Sequence, residues 1–306
     1  MADGCGPKPF QAAGAGRCSS SSRSKAVRVM AAAGDKLTIA VTGATGLVGS
    51  RLAAKLAAQG NKVRVLTRNV NSAKAKLQYP GLEFYSLAQI TEAVTGADAV
   101  VNLAGEPIGT RWTPAIKKQI KQSRLDITSK VASAISNSAE ASRPKVFVSS
   151  SAWEAAARNV PAGTRSVIIR TGIVLARDGG VLARMLPIFE LFAGGPLGTG
   201  KQWVSWIHRD DLVDMIIEAI RKPAYSGVYN GTAPKPVTMA QLCSSVGGVL
   251  GRPSWLPVPD FAITTLLGEG AQVVLEGQKV LPTRAQQAGF NFKYTELPDA
   301  LRNLLK

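Results

Sequence analysis

Three glycines spaced three residues apart are the feature of this chain that most clearly indicates chemistry. They lie in the run TGATGLVG (42–49), between an apolar stretch at 36–41 and a segment with helical periodicity. In such a turn the first glycine permits the tight bend, the second lets backbone approach a pyrophosphate, and the third lets helix pack on strand. The positive end of the helix favours an anion. We predict a dinucleotide-binding turn, with a purely structural turn as the alternative, formed by Gly43, Ala44, Thr45, Gly46, Leu47, Val48 and Gly49.

The end of the second predicted strand indicates which dinucleotide would bind. An NAD site usually places an acid there for the ribose 2′-hydroxyl, whereas an arginine accommodates the 2′-phosphate of NADP. Here the strand 62–67 ends in Thr67 and Arg68, and no acid occurs between Asp35 and Glu83. The planar guanidinium of Arg68 suits a phosphate and the Thr67 hydroxyl adds a donor. We predict NADP, with NAD less favoured; an ordinary surface arginine is the alternative.

Strands and helices that alternate along the chain would position these residues. Apolar strands are predicted at 36–41, 62–67, 82–86, 98–103, 145–150 and 166–170, with a long helix over 114–137. Alternation of this kind predicts an α/β fold, a Rossmann-like doubly wound parallel sheet covered on both faces. After Pro234 the pattern becomes prolines and helical turns. We therefore expect a nucleotide-binding domain over 34–233 and a small C-terminal lobe over 234–306.

The first thirty residues have the composition of an organelle leader. Serines cluster at 19–24, and one acid accompanies five basic residues: Asp3 against Lys8, Arg17, Arg23, Lys25 and Arg28. Serine- and arginine-rich, acid-poor leaders are typical of transit peptides. We predict a chloroplast transit peptide and short tail over 1–33, with cleavage near Ala31. A mitochondrial address and an ordinary disordered terminus are the alternatives.

Composition argues against several classes of function. The formal net charge is +17, but the basic residues are spread along helices rather than interleaved with aromatics, so no nucleic-acid partner is predicted. Outside the leader the sole cysteine is Cys243, which excludes an intramolecular disulfide and a cysteine metal cluster. No metal site is predicted. No apolar run approaches the ~20 residues of a membrane span, which leaves peripheral association with an envelope open.

Eight motifs carry a resemblance to a known family. They are TGATGLVG, NLAGE, the helix with RW and SRL (111–125), SSSA, RTGIVL, FAGGPLGTGKQWVSWIH, NGTAP and LEGQKVLP, spread from about Leu37 to the end. Together they resemble the extended short-chain dehydrogenase/reductases called epimerase family proteins, in the branch with a C-terminal domain of its own. That branch includes cell-division-inhibitor-like bacterial members and a plant giant-chloroplast division factor. The resemblance implies NADP contacts at the glycine turn and at Thr67, Arg68, Leu103, Ala104, Arg124 and Val174.

The catalytic group that usually accompanies this fold is missing. Short-chain dehydrogenases move a proton with a tyrosine, helped by a lysine on the same helix and by a strand-end hydroxyl, for which Ser150 and Ser151 are candidates. A phenol has an ordinary pKa of about 10 and must lie within hydrogen-bond reach of the substrate oxygen. No tyrosine occurs between Ser86 and Ala224. In relatives the segment after SSSA is longer, so the resemblance implies that roughly thirty residues are absent here. The remaining connection of fifteen residues, 151–165, is close to the minimum for a parallel crossover, which usually needs a dozen or more residues and a helix.

Three functions remain open at this point. The first is an NADP-binding plastid protein without hydride transfer in this form, acting in regulation, with a role in chloroplast division implied by the resemblance. The second is an active NADP-dependent oxidoreductase or epimerase whose segment after Ala152 was lost by splicing or a gene-model error. The third is an interaction protein with a vestigial cofactor site. His208 is predicted to be structural and Asp211 to cap a helix; the substrate and any protein partner are not defined.

Overall fold

The computed structural model describes residues 36–108, 110–150 and 154–306. The predicted transit peptide, Ser151 and the junction between Ala152 and Trp153 lie outside the described residues. None of the helices within the described ranges is long and apolar enough to cross a membrane.

The strands of the described residues are β1 Thr38–Thr42, β2 Lys62–Thr67, β3 Leu82–Ser86, β4 Ala99–Asn102, β5 Val146–Ser149, β6 Arg165–Thr171, β7 Ile173–Ala176, β8 Trp203–Val204, β9 Trp206–His208, β10 Gly227–Gly231 and β11 Val237–Thr238. Seven of them form a parallel central sheet in the order β3-β2-β1-β4-β5-β6-β10. The four others make two small two-stranded sheets, β7 with β9 and β8 with β11. The predicted doubly wound parallel sheet is confirmed, and β1 at its centre lies between β2 and β4.

Helices connect the strands and cover both faces of the sheet. They are α1 Leu47–Ala58, α2 Val70–Lys76, α3 Ile90–Val94, α4 Pro114–Asn137, α5 Glu154–Arg158, α6 Gly180–Glu190, α7 Arg209–Arg221, α8 Met239–Leu250, α9 Asp260–Leu267, α10 Ala271–Leu275, α11 Thr283–Gln287 and α12 Leu297–Leu305. The long helix α4 has its predicted limits because Thr113 accepts from the amide of Ile116 and Pro114 occupies the first turn. The five-residue α3 was not predicted.

Apolar side chains pack on the two faces of the sheet in separate clusters. On one face Leu52 and Leu56 of α1 and Ile216 of α7 are buried with residues from β1, β2 and β4–β6. On the other face Val131 of α4 and Ala157 of α5 are buried with Val100, Phe147 and Ile168 of the sheet. Burial on both faces explains why the strands read as continuous apolar runs.

A third cluster joins the C-terminal helices to the end of the sheet domain. Leu242 of α8 and Leu301 of α12 are buried together with Phe189 of α6 and Trp206 of β9. This cluster contains residues from both sides of position 234, and the domain boundary there stays a prediction.

The connection from β5 to β6 is short and contains α5 in its described part. The two strands are parallel neighbours, in register from Val146 opposite Arg165 to Ser149 opposite Ile168. Ala157 of α5 is fully buried, and its carbonyl accepts a hydrogen bond of 2.8 Å from the Ser166 hydroxyl. One short helix, α5, therefore lies in the described part of this crossover and packs against the sheet.

The start of α7 corrects one prediction. The helix cap is His208, whose Nδ1 accepts from the amide of Asp210 at 3.0 Å. Asp211 is fully buried and does not cap the helix; its two carboxylate oxygens accept from the amides of Lys293 and Tyr294, at 2.9 and 3.0 Å. The imidazole at the strand end already provides the acceptor that the first turn requires. The carboxylate one turn later instead ties α7 to the segment before α12, and the structural role predicted for His208 is confirmed.

Candidate functional site

The glycine turn between β1 and α1 has geometry that only glycine satisfies. Gly43 has a φ of +70°, and a Cβ there would lie 2.7 Å from the carbonyl carbon and oxygen of Leu103. A Cβ on Gly49 would lie 2.2 Å from the Gly43 oxygen. The turn closes with a hydrogen bond of 3.0 Å from Gly46 N to Gly43 O. Backbone therefore meets backbone at the end of β1, which leaves the room that a pyrophosphate needs.

The start of α1 presents free amides and an uncompensated positive dipole end. Its cap is Gly46, with no side-chain hydrogen bond to the first turn and no acid within that turn. Thr45 and Gly46 are exposed, whereas Ala44 is buried beneath them. A helix start with these properties is suited to an anion, so the residues present fit a dinucleotide phosphate.

Leu47 and Val174 meet on one turn. The Leu47 side chain lies against Gly179 and Gly180, where a Cβ would be 2.7 and 3.3 Å from its methyl carbons. The Val174 carbonyl would be 3.1 Å from a Cβ on Gly180. Val174 also pairs with Ile207 between β7 and β9. The structure thus brings the distant RTGIVL motif to the first turn of α1, and Val48 packs on the core beside it.

Asn102 fixes the backbone that passes the glycine turn. Its Oδ1 accepts from the Thr42 hydroxyl at 2.6 Å and from the amide of Ala104 at 3.3 Å. Its Nδ2 donates to the Thr128 hydroxyl of α4 at 2.9 Å. This buried side chain joins the ends of β1 and β4 and holds Leu103 and Ala104 in place. The NLAG run is recognisable in the sequence, but this role of Asn102 is not, because it depends on a hydroxyl donor 60 residues away in Thr42.

Arg68 is paired with an acid that the sequence analysis did not single out. Its Nη1 donates to Glu106 Oε1 at 2.7 Å, with 79% of the Arg68 side chain exposed against 24% for Glu106. Thr67 is engaged locally, where its hydroxyl accepts from the amide of Asn69 at 3.3 Å. Because β2 and β4 flank β1, the Arg68–Glu106 pair links the two strand ends on either side of the glycine turn.

Arg124 supports the loop that carries Glu106. Its Nη2 donates to the Glu106 carbonyl at 2.9 Å and its Nη1 to the Ile120 carbonyl at 3.1 Å. The guanidinium packs on Gly105, where a Cβ would lie 2.9 Å from Nε. Burial lowers the pKa of Arg124, and the negative charge of Glu106 offsets part of this lowering. The resemblance implies a cofactor contact for Arg124; in the structure this side chain holds the backbone of the NLAGE loop.

Two hydroxyls lie together at the expected catalytic edge. Ser150 N donates to the Asn102 carbonyl at 3.0 Å, and the Ser150 and Thr171 hydroxyl oxygens are 2.6 Å apart. Ser150 thus lies at the carboxyl edge of the sheet next to the end of β4, the strand that separates β5 from β1 and its glycine turn. Thr171 was not singled out beforehand; its place at the end of β6, beside β5, is a consequence of strand order.

The five tyrosines all lie in the described part of the chain. Tyr79 follows α2 and is partly exposed. The other four have contacts elsewhere: the Tyr85 hydroxyl donates to Glu83, that of Tyr225 to Glu218 and that of Tyr229 to the Ala224 carbonyl, while Tyr294 stacks on His208. No tyrosine hydroxyl within the described ranges bonds to Ser150 or Thr171. Among the same residues, no group of three His, Cys, Asp or Glu could hold a metal ion.

Comparisons with known proteins agree with this architecture. The model of the NAD dependent epimerase/dehydratase family matches residues 39–169, and that of a domain of unknown function, DUF1731, matches 258–304. The chain is 49% identical to the epimerase family protein SDR39U1 homolog, chloroplastic, of Arabidopsis thaliana, over 89% of this chain and 87% of that protein. It is 34% identical to the epimerase family protein YfhF of Bacillus subtilis, over 88% and 98%.

A solved structure gives the same result. The crystal structure of human epimerase family protein SDR39U1 (isoform2) with NADPH has a TM-score of 0.79 and 32% identity, covering 88% of this chain and 99% of that chain.

The alignment with the Arabidopsis relative also contains positions that this chain does not fill. It extends over 304 positions but covers only 89% of the 306 residues here, so about one aligned position in ten holds a residue only in the relative.

The glycine turn, the sheet order and the matches at both ends of the chain lead to one conclusion: this chain belongs to the epimerase family of extended short-chain dehydrogenase/reductases.

Proposed function

We propose that this protein is an NADP-binding epimerase-family protein of the plastid that lacks hydride-transfer activity in the form given by this sequence. The observation that carries the proposal is the contrast between two parts of one edge. The glycine turn is complete and closely packed on Leu103, whereas the hydroxyls of Ser150 and Thr171 face each other with no tyrosine hydroxyl bonded to either.

The residues assigned to the cofactor share one end of the sheet. We assign the pyrophosphate contacts to the glycine turn and the 2′-phosphate contacts to Arg68 and Thr67. The backbone of Leu103 and Ala104 is assigned to the contact with the adenosine half. Arg124 supports the loop, and Val174 lies against the first turn of α1. NADPH in the crystal structure of the human relative supports this cofactor class.

A nicotinamide cofactor would supply a hydride, and the protein would then have to move a proton. Serine and threonine hydroxyls can orient a substrate oxygen, but they transfer protons only with an adjacent base. Ser150 and Thr171 have each other as partners. His208, the single histidine, is buried and stacked on Tyr294, with its Nδ1 committed to the amide of Asp210. Among the described residues, Ser150 and Thr171 can therefore orient a substrate oxygen but have no adjacent base to transfer its proton.

The plastid assignment is supported by the composition of the leader and by the name of the Arabidopsis relative. A regulatory role in chloroplast division follows from the resemblance alone. A second function, an active oxidoreductase or epimerase whose segment is missing from this sequence, is favoured by the aligned positions that only the relatives fill. The transcript across the Ala152–Trp153 junction distinguishes these two.

Cofactor titration tests the proposal. The mature protein should bind NADPH at least tenfold more tightly than NADH, about 1.4 kcal/mol. Arg68→Asp should narrow or reverse that preference. Lys145→Asp makes the same charge change at an exposed position before β5, on the opposite edge of the sheet, and should leave it unchanged. Equal affinities of the unmodified protein would remove the role of Arg68, and no binding of either cofactor would refute the proposal.

A further inference from the structure

The Arg68–Glu106 ion pair spans the place where the adenosine half of a dinucleotide would lie. Arg68 follows β2 and Glu106 follows β4, and both strands pair with β1, which leads into the glycine turn. In open α/β sheets, ligands bind in the crevice outside the carboxyl ends of the strands. One nitrogen of the Arg68 guanidinium, which we assign to the 2′-phosphate, therefore already donates a hydrogen bond to a carboxylate.

Glu106 is the fixed member of this pair. Its amide donates to the Ser123 hydroxyl at 3.4 Å, and its carbonyl accepts from Arg124 at 2.9 Å, so α4 holds its backbone on both sides. Its side chain is 24% exposed, whereas that of Arg68 is 79% exposed. When an anion arrives, Arg68 can turn towards it, while the loop keeps the Glu106 carboxylate close by.

Glu106 has two opposing effects on phosphate binding. As a partner it orders Arg68, but exposed ion pairs of this kind contribute little. As a fixed negative charge it competes for the guanidinium and repels a phosphate that carries almost two negative charges near neutral pH. The repulsion acts on a doubly charged group and so outweighs the ordering effect.

The Glu106 carboxylate is suited to NAD, the cofactor with a free ribose 2′-hydroxyl. NAD sites use an acid to accept a hydrogen bond from the ribose 2′-hydroxyl. That acid usually follows the second strand, which is acid-free here. Glu106 brings a carboxylate to the neighbourhood of Arg68 from the other side of β1.

We propose that Glu106 is a specificity-determining residue that opposes Arg68, weakening the hold on a 2′-phosphate and favouring a free 2′-hydroxyl. This inference rests on the proposed NADP-binding function. The two residues form one selectivity pair, in which Arg68 selects the phosphate and Glu106 limits that selection.

Glu106→Gln separates charge from shape. By calorimetric titration of the mature protein, this variant should bind NADPH and 2′,5′-ADP about three- to tenfold more tightly than the unmodified protein. Its affinity for NADH and 5′-AMP should be unchanged or weaker. Glu106→Asp keeps the charge and should show no gain for the phosphorylated ligands. Glu140→Gln, at an exposed position before β5, removes the same charge from the opposite edge and should change nothing. The gain should shrink as salt rises.

Several results would overturn the inference. They are an unchanged or weaker affinity of Glu106→Gln for 2′,5′-ADP, an equal gain for NADH, and an equal gain in Glu106→Asp, which would trace the effect to loop geometry. Failure of the proposed function is distinguishable, because the unmodified protein would then bind neither NADPH nor NADH. Melting temperatures of the variants verify that each one is folded.

Discussion

The hydroxyl oxygens of Ser150 and Thr171 lie 2.6 Å apart at the carboxyl ends of two adjacent strands, β5 and β6. In this arrangement each hydroxyl is the partner of the other, at the edge where the fold would place the substrate. Neither has an adjacent base within the described residues to take up its proton. The site therefore combines a well-formed turn for a cofactor with an incomplete means of proton transfer.

Restoring the missing segment should restore turnover. We expect negligible NADPH oxidation with carbonyl substrates for the chain as it stands, since general acid–base assistance alone contributes about 10²–10⁴ in rate. A version carrying the relatives' segment between Ala152 and Trp153 should exceed it by at least that range. Both should bind NADPH, because the glycine turn and Arg68 precede the junction. Equal rates for the two versions in a stopped-flow assay would show that another residue carries the proton.

Adding one methyl group to the glycine turn should weaken cofactor binding. In Gly49→Ala the new Cβ would lie 2.2 Å from the Gly43 oxygen, so helix and turn must separate. We expect at least a tenfold loss of NADPH affinity and a destabilisation of about 1–3 kcal/mol, as for other overpacked sites.

The matched control is Gly248→Ala within α8, where a Cβ would meet nothing within 4 Å. That change should stabilise the protein by about 0.5–1 kcal/mol, because alanine loses less backbone freedom than glycine in a helix. NADPH affinity should be unaffected. Comparable NADPH affinity in Gly49→Ala and the unmodified protein would contradict the role of this turn.

Acid should destabilise the fold through His208. Burial lowers the pKa of this imidazole to about 4, against the opposing effects of Asp210 and Asn303, whereas an unfolded histidine titrates near 6.5. Between those values the unfolded chain binds a proton that the folded chain does not. Stability should therefore fall by up to about 3 kcal/mol as pH drops from roughly 6.5 to 4.

Denaturant unfolding of His208→Asn over this pH range provides the test. Asparagine retains an acceptor for the first turn of α7 but does not titrate. The variant should lose most of the decline between pH 6.5 and 4. It should keep the acid unfolding at lower pH, since Arg51 and Arg209 lower the pKa values of Asp210 and Asp178 and these groups protonate there. An unchanged profile between pH 6.5 and 4 would exclude His208 as the cause.

Residues 1–35 should direct a passenger protein to the plastid. Fused to a fluorescent reporter, this segment is expected to deliver it to chloroplasts, and the mature protein should begin near Ala31. Reversing Arg17, Arg23 and Arg28 to glutamate should reduce import, because transit peptides are poor in acids. A diffuse cytosolic signal from the unmodified fusion, or a mitochondrial one, would contradict the prediction.

Local patterns in the sequence predicted the parts of the fold that depend on neighbouring residues. The apolar runs located six of the seven strands of the central sheet, all but β10, and the helix predicted over 114–137 matches α4. The glycine turn could be predicted because two of its requirements, a positive φ at Gly43 and the close contact between Gly49 and the Gly43 carbonyl, arise within a few residues of each other. The fold class follows from the alternation of these elements.

The arrangement of side chains around the site depends on residues that are far apart in sequence. Glu106 could not be identified as the partner of Arg68, because the pair forms only when β2 and β4 align on either side of β1. The position of Asp211 predicted a helix cap, yet its carboxylate accepts hydrogen bonds from two backbone amides more than 80 positions later.

The sequence by itself determined the dinucleotide-binding turn and the absence of a tyrosine between Ser86 and Ala224, since both are properties of a continuous stretch of residues. Only the tertiary structure decided what faces that turn. Parallel strand order brings Ser150 to Thr171 and Glu106 to Arg68, and burial commits His208 and Asp211 to structural contacts. The physical reason is that charge pairing and desolvation depend on distance in space, which the spacing of residues along this chain does not specify.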